Sequence, residues 1–242
     1  MIKKYILAIC IFCIFVFSTM LLKYNNLIIP IDVKQVFNNE VLGNTKIKED
    51  FLENEKCNIK IYYPETEYEN LNNEILAKIN LEKENFSKEI ECLEKQELDN
   101  KFSLDITFNQ YKYDSYISFA FDVVTNLGGA HPYNYISTII YDTKFKKVIN
   151  IQDIIDKENN FLEKMSEISY SYLSENSNIK EYSNLQSLKD GLKPVKSNFE
   201  NIIFAEDKLI LYINTYQVAP YVAGNFEISI PYNEIFGSNR QK

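Results

Sequence analysis

The chain has 242 residues, 45% of them hydrophobic and 14% aromatic, with 26 basic against 34 acidic side chains and a formal charge of −8. That length and apolar fraction suffice for one large or two small domains with a real core, which excludes general disorder. The acidic balance disfavours nucleic acid as a partner, and six glycines and six prolines leave little room for flexible linkers.

Residues Tyr5 to Leu22 are uncharged and almost wholly apolar, flanked by Lys3, Lys4 and Lys23. Their length matches what a helix needs to cross a bilayer core. Segment 1–23 is therefore expected to be a membrane anchor or signal. Retention is favoured over cleavage near Ser18, because the apolar run continues through Met20, Leu21 and Leu22, beyond what a short signal core requires. With four residues ahead of this helix, the folded bulk is expected outside the cell membrane on a single-pass anchor, or secreted if the chain is cleaved near Ser18. Cys10 and Cys13 follow Ile9 and Phe12 and read as apolar helix residues. Setting aside Lys3, Lys4 and Lys23 leaves 23 basic against 34 acidic residues, a formal charge of about −11 on the exported part.

Residues 24–50 are polar with scattered aliphatics and read as a stalk. Cys57, Ile59, Ile61 and Tyr63 alternate with polar neighbours, the period of a half-buried strand ended by Pro64. Leu71, Ile75, Ile79, Phe86, Ile90 and Leu93 recur at spacings of three, four and seven, as in an amphipathic helix. Cys92 sits at the margin of its apolar stripe. Cys57 and Cys92 are an even pair in a compartment that permits disulfides, and both a bond and two free thiols remain open.

Phe102, Leu104, Ile106 and Phe108 then alternate with polar residues, and Ile117, Phe119, Phe121 and Val123 follow a polar turn, which predicts an antiparallel hairpin. Tyr135 to Tyr141 is apolar on both faces and is expected inside the sheet. Asn150 is placed to cap a short helix from Ile151. Phe161, Met165, Ile168 and Tyr172 predict a second amphipathic helix, and a short helix is expected between Ser183 and Leu192, closed by Gly191 and Pro194. Phe199 to Phe204 reads as a strand. A partner strand runs from Leu209 through Tyr216, Val218, Pro220 and Tyr221 until Gly224 breaks it, and a last strand runs from Phe226 to Pro231. The expected class is α+β, with antiparallel sheets and amphipathic helices packed on them.

The stretch Leu127-Gly128-Gly129-Ala130-His131-Pro132-Tyr133-Asn134 holds the only histidine of the chain. Paired glycines permit positive φ, and Pro132 pushes His131 toward an extended backbone, so this connector is shaped rather than slack. One histidine cannot build a multi-histidine metal or acid/base site. No P-loop, dinucleotide fingerprint, zinc pattern or nucleophile elbow is present. Asp105 and Asp122 lie on polar strand faces, and a paired-carboxylate glycosidase would need them about 5 to 9.5 Å apart across a sugar cleft. No catalytic, cofactor-binding or metal-binding residue is therefore assigned, and the chain is expected not to be an enzyme. The candidate binding residues are Gly128, Gly129, His131, Pro132 and Tyr133, with Pro220 and Tyr221 as an aromatic contact at an exposed rim.

Two pieces carry a family resemblance. The first is Gly128-Gly129-Ala130-His131-Pro132, the strand from Tyr135 to Asp142, a lysine-bearing turn, and Val148-Ile149-Asn150-Ile151-Gln152-Asp153-Ile154-Ile155. The second is Tyr216-Gln217-Val218-Ala219-Pro220-Tyr221-Val222-Ala223-Gly224, leading to Phe226-Glu227-Ile228-Ser229-Ile230-Pro231-Tyr232. In order and separation they resemble the exported domain of RsiV-type anti-sigma factors, shared as an accessory region with PdaC-like peptidoglycan deacetylases. The resemblance covers about Phe51 to Phe236. It implies an N-terminal strand-helix-hairpin part, 51–125, a C-terminal part, 126–236, and a tail, 237–242. The RsiV type binds lysozyme as an envelope-stress signal. The expectation is thus an envelope-anchored binding or sensing module for lysozyme or a similar cationic protein, with a cell-wall glycan-binding module as the alternative and a carboxylate-based hydrolase as a third. Sigma binding and deacetylation are not expected, since Met1 to Lys4 alone precede the apolar segment and His131 stands without a second histidine.

Overall fold

Period-two burial in the sequence becomes sheet structure wherever both flanks are covered. The computed structural model describes residues 43–93 and 101–237. Six strands form one sheet in the order β1 (Lys46–Glu53), β2 (Cys57–Glu65), β3 (Phe102–Tyr113), β4 (Tyr116–Asn126), β5 (Tyr133–Asp142) and β6 (Lys147–Ile149). All neighbours in it are antiparallel except β2 and β3. That parallel pair follows from its connection, because helix α1 (Glu69–Leu93) is the crossover that carries the chain back to the same end. The class is α+β, as expected.

Helix α1 buries Leu71, Ile75, Ile79, Phe86 and Ile90, its predicted apolar stripe. It lies on the sheet face that presents Leu104, Ile106, Phe108, Phe119 and Phe121, all buried. Polar ties fix its position along β5: the Tyr141 hydroxyl donates to Asn70 Oδ1 at 2.7 Å and Lys78 Nζ donates to Ser137 Oγ at 2.6 Å.

The other face receives a second sheet of β7 (Ile202–Phe204), β8 (Lys208–Ile213) and β9 (Phe226–Pro231), all antiparallel. Ala120 packs there with Ile203, Ala205, Ile210 and Tyr212. The Phe204 N–H donates to buried Ser118 Oγ at 3.2 Å. Five helices close this side: α2 (Ile151–Ile155), α3 (Phe161–Ser174), α4 (Ser177–Tyr182), α5 (Leu185–Gly191) and α6 (Tyr232–Phe236). Their Phe161, Met165, Leu173, Leu188 and Ile235 join Leu211, Ile213 and Ile228 in one core. Asn150 caps α2 as expected, in a reciprocal box with Asp153.

Several elements depart from the sequence reading. Strand β1 lies partly inside the segment read as a stalk; it is an edge strand exposed at nearly every position, so burial imposes no alternation on its sequence. Strand β8 stops at Ile213, well short of Tyr221, because Asn214 turns its side chain onto the Ile136 backbone and Tyr216 takes a left-handed backbone, φ 68°. Strands β4 and β5 pair across the 125/126 division, so the two parts share one sheet. Cys57 is a buried free thiol at the start of β2, and the Cys92 side chain lies outside the described residues.

The expected cell-membrane localisation is also corrected. Among the described residues no helix is long and apolar enough to cross a membrane. The 5–22 segment on which that expectation rested lies outside the described residues.

Candidate functional site

Strand β5 enters the sheet from the glycine turn, and two features set that turn. Gly128 adopts φ 73°, open to glycine without strain, and its N–H donates to Asn126 Oδ1 at 3.0 Å. Gly129 lies outside the left-handed region, so only one of the paired glycines uses its conformational freedom. His131, Pro132 and Tyr133 are exposed beyond the turn. His131 Nδ1 stands 3.1 Å from its neighbour Pro132 O.

The second motif arrives from 90 residues further along. After β8 the chain loops through 214–225, with a 3-10 turn at Tyr221–Ala223. His131 lies flat on Tyr221, ring centroids 3.6 Å apart and planes 10° from parallel. Tyr216 stands next to both Tyr221, at 6.4 Å, and Tyr133, at 6.3 Å. Tyr133 continues to Tyr135 at 5.4 Å. Tyr133 is 42% and Tyr216 56% exposed, which leaves a large part of each side chain in water. The structure thus brings His131, Tyr133 and Tyr221 into one surface, with Pro220 exposed at its edge.

A polar seam between the sheets holds the two motifs together. Thr215 N–H donates to Asn225 Oδ1, Asn225 donates to Asn134, and Asn134 donates to Asp122. Thr215 Oγ1 donates to Asn134 O at 3.0 Å, and Asn214 pairs both its amide ends with the Ile136 backbone. Gly191, the last residue of α5, lets the loop approach: a Cβ there would stand 2.0 Å from Gln217 O. Gln217 in turn donates to Gly191 O and Asn198 O.

Beside the rings, α1 and the start of β5 flank an open cavity of about 460 Å³ lined by Glu82, Asn85, Phe86, Lys88, Glu89, Thr125, Tyr133, Tyr135 and Asn214. The Tyr135 hydroxyl donates to Glu82. Burial, then that hydrogen bond and the charges of Glu82 and Glu89, push the Tyr135 phenol far up, so it remains neutral. Lys88 is drawn to Glu84 at 2.7 Å. Burial lowers the Lys78 ammonium. Tyr133 belongs to both the cavity and the exposed rings.

Asp105 and Asp122 also come close. Asp105 pairs with Val124 and Thr107 with Asp122, which makes the two aspartates diagonal neighbours on one face of the β3–β4 ladder. Burial raises both carboxyls. A larger cavity, about 800 Å³, lies at the opposite end of β4, roughly 35 Å away along that 11-residue strand. Its rings are bonded to one another and to the core: Tyr113 stacks on Tyr232 at 4.4 Å, and Tyr232 donates to Ala205 O. Among the described residues no three His, Cys, Asp or Glu side chains are grouped to hold a metal ion.

Sequence reasoning missed Glu82, Tyr135, Asn214, Tyr216 and Asn225. Tyr216 lay inside the second motif but was read as a strand residue. Glu82 sits on the polar side of an amphipathic helix, where a functional carboxylate carries no distinguishing pattern.

Residues 52–134 match the family model described as "Deacetylase PdaC", and residues 152–233 match that described as "Protein of unknown function (DUF3298)". The chain thus carries, in order, a stretch similar to the PdaC model and a stretch similar to the DUF3298 model. The peptidoglycan-N-acetylmuramic acid deacetylase PdaC of Bacillus subtilis is 28% identical over 189 residues, covering 78% of this chain and 40% of that protein. This chain therefore spans less than half the length of that relative. The fold of a DUF3298 family protein from Pseudomonas aeruginosa is similar, with a TM-score of 0.53 at 16% identity over 80% of this chain and 92% of that one. A DUF3298 protein from Bacteroides fragilis aligns with a TM-score of 0.48 at 14% identity, over 79% and 92% of the respective chains. The His131–Tyr221 stack joins the two matched regions, since His131 lies in the first, which ends at residue 134, and Tyr221 in the second, which begins at 152.

These matches correct one expectation. The chain was read as a non-enzyme, yet its curated relative is named as an enzyme and the matching region bears a deacetylase family's description. A single histidine limits histidine-ligated metal chemistry within these residues, and it does not carry the wider conclusion that the chain lacks an activity.

Proposed function

We propose that this PdaC/DUF3298-type region is a cell-wall module that docks on peptidoglycan glycan strands through the rings of His131, Tyr133, Tyr216 and Tyr221. The observation that carries the reading is the exposed ring surface assembled where the two matched regions meet. Sugar rings present C–H faces that pack on aromatic faces, while polar groups beside them set orientation. Here the cavity on the α1 side supplies those groups. The name of the Bacillus relative, a protein acting on peptidoglycan, supports the same ligand class. The test is co-sedimentation of the chain with purified peptidoglycan. Y216A and Y221A are expected to shift the protein to the supernatant, and wild-type protein left in the supernatant speaks against the reading.

The acidic charge of the chain supports a second partner class, a cationic envelope protein such as lysozyme. In that reading charge raises the on-rate and the tyrosines give specific contact. Calorimetry with lysozyme tests it. A lysozyme isotherm unchanged by Y216A, or no heat at all, rejects the ring surface as its docking site.

A further inference from the structure

We propose that the cavity between α1 and the start of β5 receives a protonated primary amine on the glycan, so that the module prefers amino sugars with a free amino group over N-acetylated ones. The inference rests on the glycan-docking reading and names the chemical form of the sugar.

The argument is one of donors and acceptors. Glu82 and Glu89 line the cavity, and an ionised carboxylate only accepts hydrogen bonds. Tyr135 commits its one proton to Glu82, so its oxygen is left with acceptor capacity alone. Asn214 uses its amide oxygen and one of its two amide N–H groups on the Ile136 backbone at 2.8 and 2.9 Å. Lys88, the cation on the rim, is held by Glu84. Asn85 is the one remaining side-chain amide in the lining, and the Thr125 hydroxyl is directed to Tyr133 O at 3.5 Å. An acetamido group needs a donor for its carbonyl and an apolar seat for its methyl. An ammonium brings three donors and a positive charge, which suits two carboxylates, a phenol oxygen and the faces of Tyr133 and Tyr135. Tyr133 bridges the cavity to the exposed rings, so a sugar stacked on Tyr133 and Tyr216 has a substituent within reach of Glu82 and Glu89.

The experiment is titration of the full chain with a tetramer of glucosamine and with a tetramer of N-acetylglucosamine, in the wild type and in E82Q, E89Q and Y216A. E175Q, outside the cavity, removes the same formal charge as a control. The expected result is roughly tenfold tighter binding of the glucosamine tetramer, a preference that falls about threefold or more in E82Q and in E89Q, persists in E175Q, and is carried at lower affinity by Y216A. Gln can still accept from Tyr135, so E82Q keeps the local fold. Equal affinity for both tetramers, with Y216A weakening each, overturns the amine preference and leaves the docking reading standing. A glucosamine preference that E175Q reduces as much as E89Q also overturns it, since bulk charge then accounts for the attraction. Failure of both tetramers to bind overturns the amine site together with the docking reading.

Discussion

His131 and Tyr221, 90 positions apart in sequence, share a stacked contact with ring centroids 3.6 Å apart. This contact clamps the glycine turn of the first matched region onto the 214–225 loop of the second. A double-mutant cycle between H131A and Y221A measures it. The expected coupling in thermal stability is about 0.5–1.5 kcal/mol, the range of aromatic pairs beyond their area burial. Strict additivity would show that the two rings do not support one another.

Tyr216 offers a substitution in which stability and ligand binding move in opposite directions. Its φ of 68° is strained for a bulky side chain and free for glycine. Y216G is expected to raise stability by up to about 1 kcal/mol while lowering peptidoglycan retention, because the exposed ring is gone. Chemical denaturation and co-sedimentation on the same variant check both signs.

Gly191 is expected to tolerate no side chain. A Cβ at 2.0 Å from Gln217 O and 2.8 Å from Val218 Cγ1 meets backbone that is itself anchored by the Gln217 amide. G191A should destabilise the protein by about 3 kcal/mol, at the upper end of overpacking effects, and displace the loop that carries Tyr216 and Tyr221. A melting temperature within a degree of the wild type would contradict this geometry.

Two aspartates predict opposite pH behaviour. Burial raises the Asp122 carboxyl above its ordinary value, so its contribution to stability is complete below the unfolded-state value and is lost as pH rises through the folded one. D122N keeps an acceptor for Asn134 and is expected to gain stability over wild type at pH 7, with the gain vanishing at pH 3. Asp153 is held low, first by the Lys147 hydrogen bond and then by the Asn150 N–H. Its contribution is present above the ordinary aspartate value and disappears as pH falls through the folded one. D153N should therefore lose stability at pH 7 and match the wild type in strong acid. Melting curves across that range decide both.

Much of the fold was legible because burial writes itself into spacing. The α1 stripe from Leu71 to Leu93, the β3–β4 hairpin, and Asn150 as a cap follow from periodicity and local capping chemistry. Strand β1 was not legible, since an exposed edge imposes no alternation, and α6 was hidden behind Pro231, which reads as a strand end but also suits a helix start. The parallel β2–β3 pairing is a property of the crossover, not of either strand. At the site, the glycine turn and Tyr221 stood out as motifs, but their contact did not. Long-range partners such as Asn134 with Asn225, or Glu82 with Tyr135, are made by the tertiary fold and leave no mark in local sequence.

The most direct test of the docking account is the affinity of the full chain for soluble peptidoglycan fragments, measured for the wild type and for a Y133A/Y216A/Y221A variant shown to be folded. The account predicts saturable binding by the wild type and a loss of at least about tenfold in the variant. Equal affinity of the two proteins would contradict it.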